Sequence, residues 1–268
     1  MKLQIKRAIS QIIFAISANL GAFGLKTGFC YPFFYCHSCP AATSACPIRA
    51  IEIGVKDSNW KFFFYPFIIL GSVGIIFGRA VCGWACPIGS LQRATGGVAR
   101  KLKKRFPVFK KIGQLKAERY FRYIKYFNLF GLAMIIYVLF NIMFTDLCPV
   151  GFLVGTIPIS ILNPGEYVPN QFYYIAFVIF IFFIILIFVV ERGWCRYFCP
   201  VGAILAPFNK ISMYSVTVDK PKCIHCNVCS DVCPMGIDVA NMHRDPECIL
   251  CGKCVEKCPK NIITLGRK

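Results

Sequence analysis

Seventeen cysteines in 268 residues carry the chemistry of this chain. Eight stand in two runs of one pattern, C-x2-C-x2-C-x3-C-P: Cys223, Cys226, Cys229 and Cys233, then Cys248, Cys251, Cys254 and Cys258. Pro234 and Pro259 follow the fourth cysteine of each run. Thiolates at that spacing, in tandem, are the ligand set of two [4Fe–4S] clusters, and the fourth cysteine of each run serves the other cluster. The rule assigns Cys223, Cys226, Cys229 and Cys258 to one cluster, and Cys248, Cys251, Cys254 and Cys233 to the second. A zinc site would use one run and leave the tandem and its prolines unexplained. His225 and His243 lie in the same segment, where thiolates already fill each cluster, so they read as surface residues.

Nine cysteines precede this segment. Cys82, Cys86, Cys195 and Cys199 come from two copies of R-x2-C-x-[WY]-x-C-P-[IV]-G, which start at Arg79 and Arg192. Four thiolates converging from the two copies would complete an inner membrane cluster. Each Cys-Pro places proline at a first helical position, with backbone N–H groups aimed at the cluster. Arg79 and Arg192 either compensate an anionic cluster or anchor the membrane boundary. The remaining five are Cys30, Cys36, Cys39, Cys46 and Cys148. Cys36, Cys39, Cys46 and Cys148 form the candidate outer cluster, with Cys30 as substitute or spare; one or two disulfides in an oxidising exterior are the competing reading. The cofactors expected are [4Fe–4S] clusters, two in the tandem runs and up to four in total, with iron as the metal held by the same cysteines.

Elements must bring these residues together, and composition says which kind. Hydrophobic residues make up 57% of the chain and charged ones 16%, a balance for lipid rather than water. Four apolar tracts are long enough to span a bilayer: Ala8–Leu25, Phe62–Phe77, Phe127–Phe144 and Phe172–Val190. The first is too long for a signal-peptide core and has no clean small-x-small cleavage site, so it reads as a span. Gly71, Gly74 and Gly78 predict close helix packing on the second tract, and Trp60 to Phe64 an interfacial belt. The loop from Arg79 to Lys125 carries thirteen Lys and Arg; that from Thr145 to Gln171 carries none. The positive-inside rule then predicts a multi-pass cell-membrane protein with both termini cytoplasmic. The net charge of +19 belongs to that pattern and not to nucleic-acid binding.

The fold class expected is an α-helical membrane domain of four transmembrane helices, a duplicated two-helix unit, over residues 1–213. An α+β bacterial-type 2[4Fe–4S] ferredoxin domain over 214–268 follows, closed by pairing of Tyr214–Val218 with Ile262–Leu265. No C-x-x-C-H motif marks covalent haem. His37, His225 and His243 all fall outside the spans, so no haem is expected; no flavin or nucleotide fold is evident either. No general acid–base pair stands out, so no catalytic residue is assigned. Asp146 and Glu166 on the outer side read as solvated loop carboxylates or as a quinol proton path.

Cys82, Cys86, Cys195, Cys199 and the eight tandem cysteines, over about residues 60 to 265, resemble the NapH-type membrane polyferredoxins. Their relatives include the NosR regulators and the CcoG copper-reductase proteins. The resemblance implies an electron-transfer component of an oxidoreductase complex. It would pass electrons through [4Fe–4S] clusters between an outer or membrane donor or acceptor and a cytoplasmic partner. Membrane lipid, other redox subunits and, as a further candidate, quinone are the partners implied. The outer loop from Cys30 to Cys46 lies outside the NapH pattern and favours a transmembrane conduit. The alternatives are a quinol dehydrogenase or membrane metal (copper) reductase acting by itself, and a redox sensor or assembly factor.

Overall fold

The computed structural model describes residues 3–36, 38–105, 120–162 and 171–267. Glu166 and His37 lie outside them. Helix α1, Leu3–Ala18, is shorter than the apolar tract that predicts it. The chain turns away at Leu20–Phe23 and closes on Gly24, whose φ of 84° suits a residue without Cβ. The expected span over Ala8–Leu25 is therefore a helix that starts earlier and ends at Ala18. Its polarity is inverted: Arg7 and Gln11 are buried, while Ile12, Ile13 and Ile16 are exposed. Both polar side chains donate to the Gly83 carbonyl, at 2.6 and 2.9 Å.

Helices α2, Pro47–Lys56, and α3, Trp60–Phe77, form a tight pair. The Asn59 side chain caps α3 by accepting from the Lys61 N–H at 3.1 Å, one of the donors a helix start leaves unmet. Among the described residues α3 alone is both long and apolar enough to cross a membrane by itself; Ile124–Phe140, Pro149–Leu162 and Tyr173–Val189 are shorter apolar helices. Gly74 packs on Phe208 and Gly78 on Asn209, in the turn Pro207–Lys210. The glycine face of α3 thus receives a returning loop and not a second spanning helix.

Two short helices follow the apolar helices at equivalent places. Ala80–Trp84 (α4) leads into Pro87–Arg105 (α5). After Ile124–Phe140 (α6), Pro149–Leu162 (α7) and Tyr173–Val189 (α8), Gly193–Tyr197 (α9) leads into Pro200–Leu205 (α10). Helix α5 packs along α8, tying the first copy of the repeat to the second. Helices α2, α5 and α7 have no counterpart among the apolar tracts read from sequence.

The last segment pairs Tyr214–Val218 (β1) antiparallel with Ile263–Arg267 (β2), in register Tyr214↔Arg267 and Val218↔Ile263. Between them lie two single-turn helices, Val228–Asp231 (α11) and Lys253–Lys257 (α12). One apolar core runs from Phe33, Ile48 and Phe144 through Leu70, Phe183 and Trp194 to Met235, Ile237 and Ile249. It therefore crosses the expected boundary at residue 214.

Candidate iron–sulfur sites

The tandem runs fold around two cavities. One, of about 350 Å³, is lined by Cys233, Cys248, Cys251 and Cys254 together with Met235, Ile237 and Ile249. The other, of about 370 Å³, is lined by Cys223, Cys226, Cys229 and Cys258. These are the two sets of four that the exchange of fourth cysteines demands. The loops reach this shape through residues in the left-handed region, His225, Asn227, Leu250 and Gly252, which turn the chain tightly between consecutive thiols. Burial pushes Cys254 up to about 12, and Cys233 and Cys248 upward as well. Such thiols keep their protons unless a metal compensates the thiolate charge. An apolar cradle with four convergent sulfurs fits a [4Fe–4S] cluster.

Cys82 and Cys195 are each the third residue of a five-residue helix, α4 and α9. Cys86 and Cys199 precede the prolines that open α5 and α10. Their backbone N–H groups donate to the Val81 and Trp194 carbonyls, both at 3.0 Å, so the copies are alike in local geometry. Cys82, Cys86 and Cys199 all lie within electrostatic reach of Cys195. Gly202 donates its N–H to the Cys199 Sγ at 3.4 Å, and Gln92 donates to the Cys195 Sγ at 3.2 Å.

The repeat's arginines explain the rest of its pattern. Arg79 of the first copy donates to the Cys195 carbonyl of the second at 2.8 Å. Arg192 of the second donates to the Cys82 and Gly89 carbonyls of the first, at 2.7 and 2.8 Å. Each guanidinium passes over the glycine of the opposite Cys-Pro-[IV]-Gly. A Cβ on Gly89 would lie 2.9 Å from the Arg192 Nη1, and one on Gly202 would lie 2.9 Å from the Arg79 Nη2. Arg79 and Arg192 are 0% and 1% exposed. Anchoring at a lipid headgroup, one of the two expectations for them, is thereby overturned; they sit inside, beside the thiols.

On the other side the chain gathers a second set. Cys46 lies within electrostatic reach of Cys36 and Cys148, Cys148 of Cys36, and Cys36 of Cys39. Cys46 and Cys148 hold nearly the same backbone angles before Pro47 and Pro149, the counterparts in this set of Cys86 and Cys199. Cys30 stands apart, its thiol directed to the Ala45 carbonyl at 3.4 Å. All 17 cysteines are free of disulfides. A polar cavity of about 540 Å³ reaches this group at Cys36 and Cys148, beside Thr145 and Asp146. Asp146 pairs with Arg49 at 3.8 Å and is not a freely solvated loop carboxylate.

Several contributors escaped the sequence reading. Glu247 receives both Arg79, at 2.7 Å, and Lys125. Burial pushes its carboxyl up, and the two cations overcome this and hold it below the usual range. Asn209 accepts from the Arg79 N–H at 2.7 Å and donates to the Cys248 carbonyl at 2.6 Å. Glu52, fully buried, accepts from the Thr145 hydroxyl at 2.6 Å. Only Glu247 carried a local signal, an acid directly before a ligand cysteine. The others are distant in sequence from the thiols they support.

The comparisons follow this geometry. The family described as a 4Fe–4S binding domain matches residues 62–105 and 172–213, one segment in each copy of the repeat. A 4Fe–4S dicluster domain matches residues 215–259. The chain is 29% identical over 243 residues to an uncharacterized protein of Methanocaldococcus jannaschii, covering 89% of this chain and 85% of the relative. It is 26% identical over 204 residues to the regulatory protein NosR of Stutzerimonas stutzeri, 71% of this chain and 25% of NosR. It is 27% identical over 161 residues to the ferredoxin-type protein NapH of Escherichia coli, 58% of this chain and 47% of NapH. No solved structure matches. With both repeat copies and the tandem runs falling in iron–sulfur domains, this chain is an iron–sulfur electron-transfer protein similar to the polyferredoxins of the NapH/NosR type.

Proposed function

We propose that the chain carries electrons across the cell membrane, between an outer or membrane-borne donor or acceptor and a cytoplasmic partner, as a subunit of a redox complex. What supports this reading is that Cys30 alone stands apart: eight cysteines line the two cavities of the tandem runs in fours, and the other eight lie within electrostatic reach of one another in two further sets. Bound clusters would supply one-electron redox couples. The chain's own part is to hold the thiolates, exclude water and offset charge, and the buried Arg79, Arg192 and Lys125 are suited to the last.

Membrane insertion is supported by what the outer faces expose. Ile12 and Ile13 of α1, Ile68 of α3, Val138 and Leu139 of α6, and Val178 and Ile185 of α8 are all uncovered. Apolar surface on every side of one body suits lipid as its solvent. We take α1, α3, α6 and α8 as the four spans, with both termini and the tandem cluster unit in the cytoplasm.

Iron and acid-labile sulfide per chain test the reading. Four clusters of four irons predict about 16 iron atoms; about eight would defeat it. Replacing Cys199 or Cys148 by Ser should lower the count by about four each. A second reading, quinol dehydrogenase in its own right, is favoured by an almost wholly apolar groove of about 1140 Å³ beside α4, lined by Phe77, Val81, Trp84, Tyr214 and Leu250. Purified chain that oxidises menaquinol without other subunits would establish that second reading in place of the first. Turnover with Cu(II) alone would point to a metal reductase.

A further inference from the structure

The two cavities of the tandem unit face opposite ways. The one with Cys233, Cys248, Cys251 and Cys254 is pressed onto the membrane body. Trp84 donates its indole N–H to the Leu250 carbonyl at 2.9 Å, Gln4 donates to the Cys251 carbonyl at 2.9 Å, and Asn209 holds the Cys248 carbonyl. Met235, Ile237 and Ile249 around it belong to the main core. This end is the neighbour of the inner thiols, because Arg79 contacts both Cys195 and Glu247.

The cavity with Cys223, Cys226, Cys229 and Cys258 is at the free end. Of the 17 cysteines Cys226 alone is exposed. Around it the surface changes character. Ile224 and Val228 are 56% and 38% exposed, an apolar centre beside the cavity that Ile224 and Lys260 both line. Lys260 is exposed there, as are Lys220 and Lys222 in the turn that leads into Cys223. Of the acids nearby in sequence, Asp219 is paired with Lys222 at 2.8 Å, and Asp231 is exposed. A small apolar centre inside a charged rim has the anatomy of a transient interface, and the sign of the rim selects the partner.

We propose that this end, Ile224 and Val228 with Lys220 and Lys260 beside Cys226, is the docking surface for a small acidic one-electron carrier protein. The inference rests on the reading of the eight tandem cysteines as cluster ligands. It adds the order of the path: the membrane-side set is internal, and the set containing Cys226 meets the partner.

Titration calorimetry of the iron-loaded full chain in nanodiscs, with an acidic bacterial ferredoxin as probe, tests it. Affinity should fall steadily between about 0.02 and 0.3 M salt, as opposite charges require. The double variant K220E/K260E should bind about tenfold more weakly or worse, while Lys56→Glu in α2 should bind like the parent. Basic cytochrome c should not bind at this end. Undiminished binding by K220E/K260E, affinity that rises with salt, or tighter binding of cytochrome c than of the ferredoxin by the parent chain would each overturn the surface. Iron per chain separates this failure from the deeper one. A loaded chain that ignores the carrier refutes only the docking surface, whereas a tandem segment without iron refutes the ligand assignment beneath it.

Discussion

Arg79 uses both arms of its guanidinium, Nη1 on the Glu247 carboxylate and Nη2 on the Cys195 carbonyl. A lysine has one point of charge and cannot span the two. Arg79→Lys should therefore lose about four irons per chain while the tandem-unit signals in electron paramagnetic resonance persist; full iron content would contradict the bracing role. Arg79→Ala also strips a buried carboxylate of one cation, a loss that costs about 3–5 kcal/mol at such sites. Glu52 behaves differently. Burial lifts its carboxyl to about 7, against the pull of the Thr145 donors and Arg49. The folded chain keeps a proton there that the unfolded chain has released, so this group costs stability as pH rises from about 4.5 to about 7. Glu52→Gln should flatten that slope in thermal melts across the window, and an unchanged slope would exclude Glu52 as its source. Neither role could be read from sequence, since nothing local links residue 79 to 195 or residue 52 to 145.

Among the elements, the five-residue helices α4 and α9 matter most for their size. Each puts its first cysteine inside a turn and delivers the second to a proline-opened helix. That much was legible, because Cys-Pro-[IV]-Gly carries its own helix-start signal. Residues Tyr214–Val218 were legible too, through β-branched alternation. The α1 end was not: apolar residues continue past Ala18, and only the left-handed Gly24 and contacts with Thr43 fix where the chain turns. The start of helix α5 carried that same Cys-Pro signal, but its length was hidden by its charge, which hydropathy reads as loop. Gly83 in α4 touches the Ile249 carbonyl so closely that a Cβ would collide with it. Gly83→Ala should loosen the tandem unit from the helices it packs on, seen as faster proteolytic release of the segment from β1 onward or as weaker protection of Ile249 and Leu250 in hydrogen exchange. Unaltered protection and cleavage would show that the contact is not what holds the unit.

For the whole molecule, the sequence suggested a helical membrane domain followed from residue 214 by a ferredoxin domain; in the structure the main core takes in Met235, Ile237 and Ile249 of that last segment, which also keeps a smaller core of its own around Val216, Val239 and Ile263. The spacing of thiols in the tandem runs carried the two sets that line the cavities, since their ligation pattern is written in short intervals. Their mutual placement was not written there, because it depends on packing between residues more than a hundred positions apart. The reciprocal arginines give that packing a consequence for biosynthesis. Synthesis runs from the N-terminus, and Cys82 and Cys86 emerge long before Arg192, Cys195 and Cys199 can brace and complete their site. The outer set closes earlier, at Cys148, and the two tandem sets only at Cys254 and Cys258. On the proposed ligand assignment, a nascent chain carries unpaired thiols through most of its translation, and delivery of iron and sulfide to Cys82, Cys86, Cys195 and Cys199 waits until the second copy of the repeat is in place.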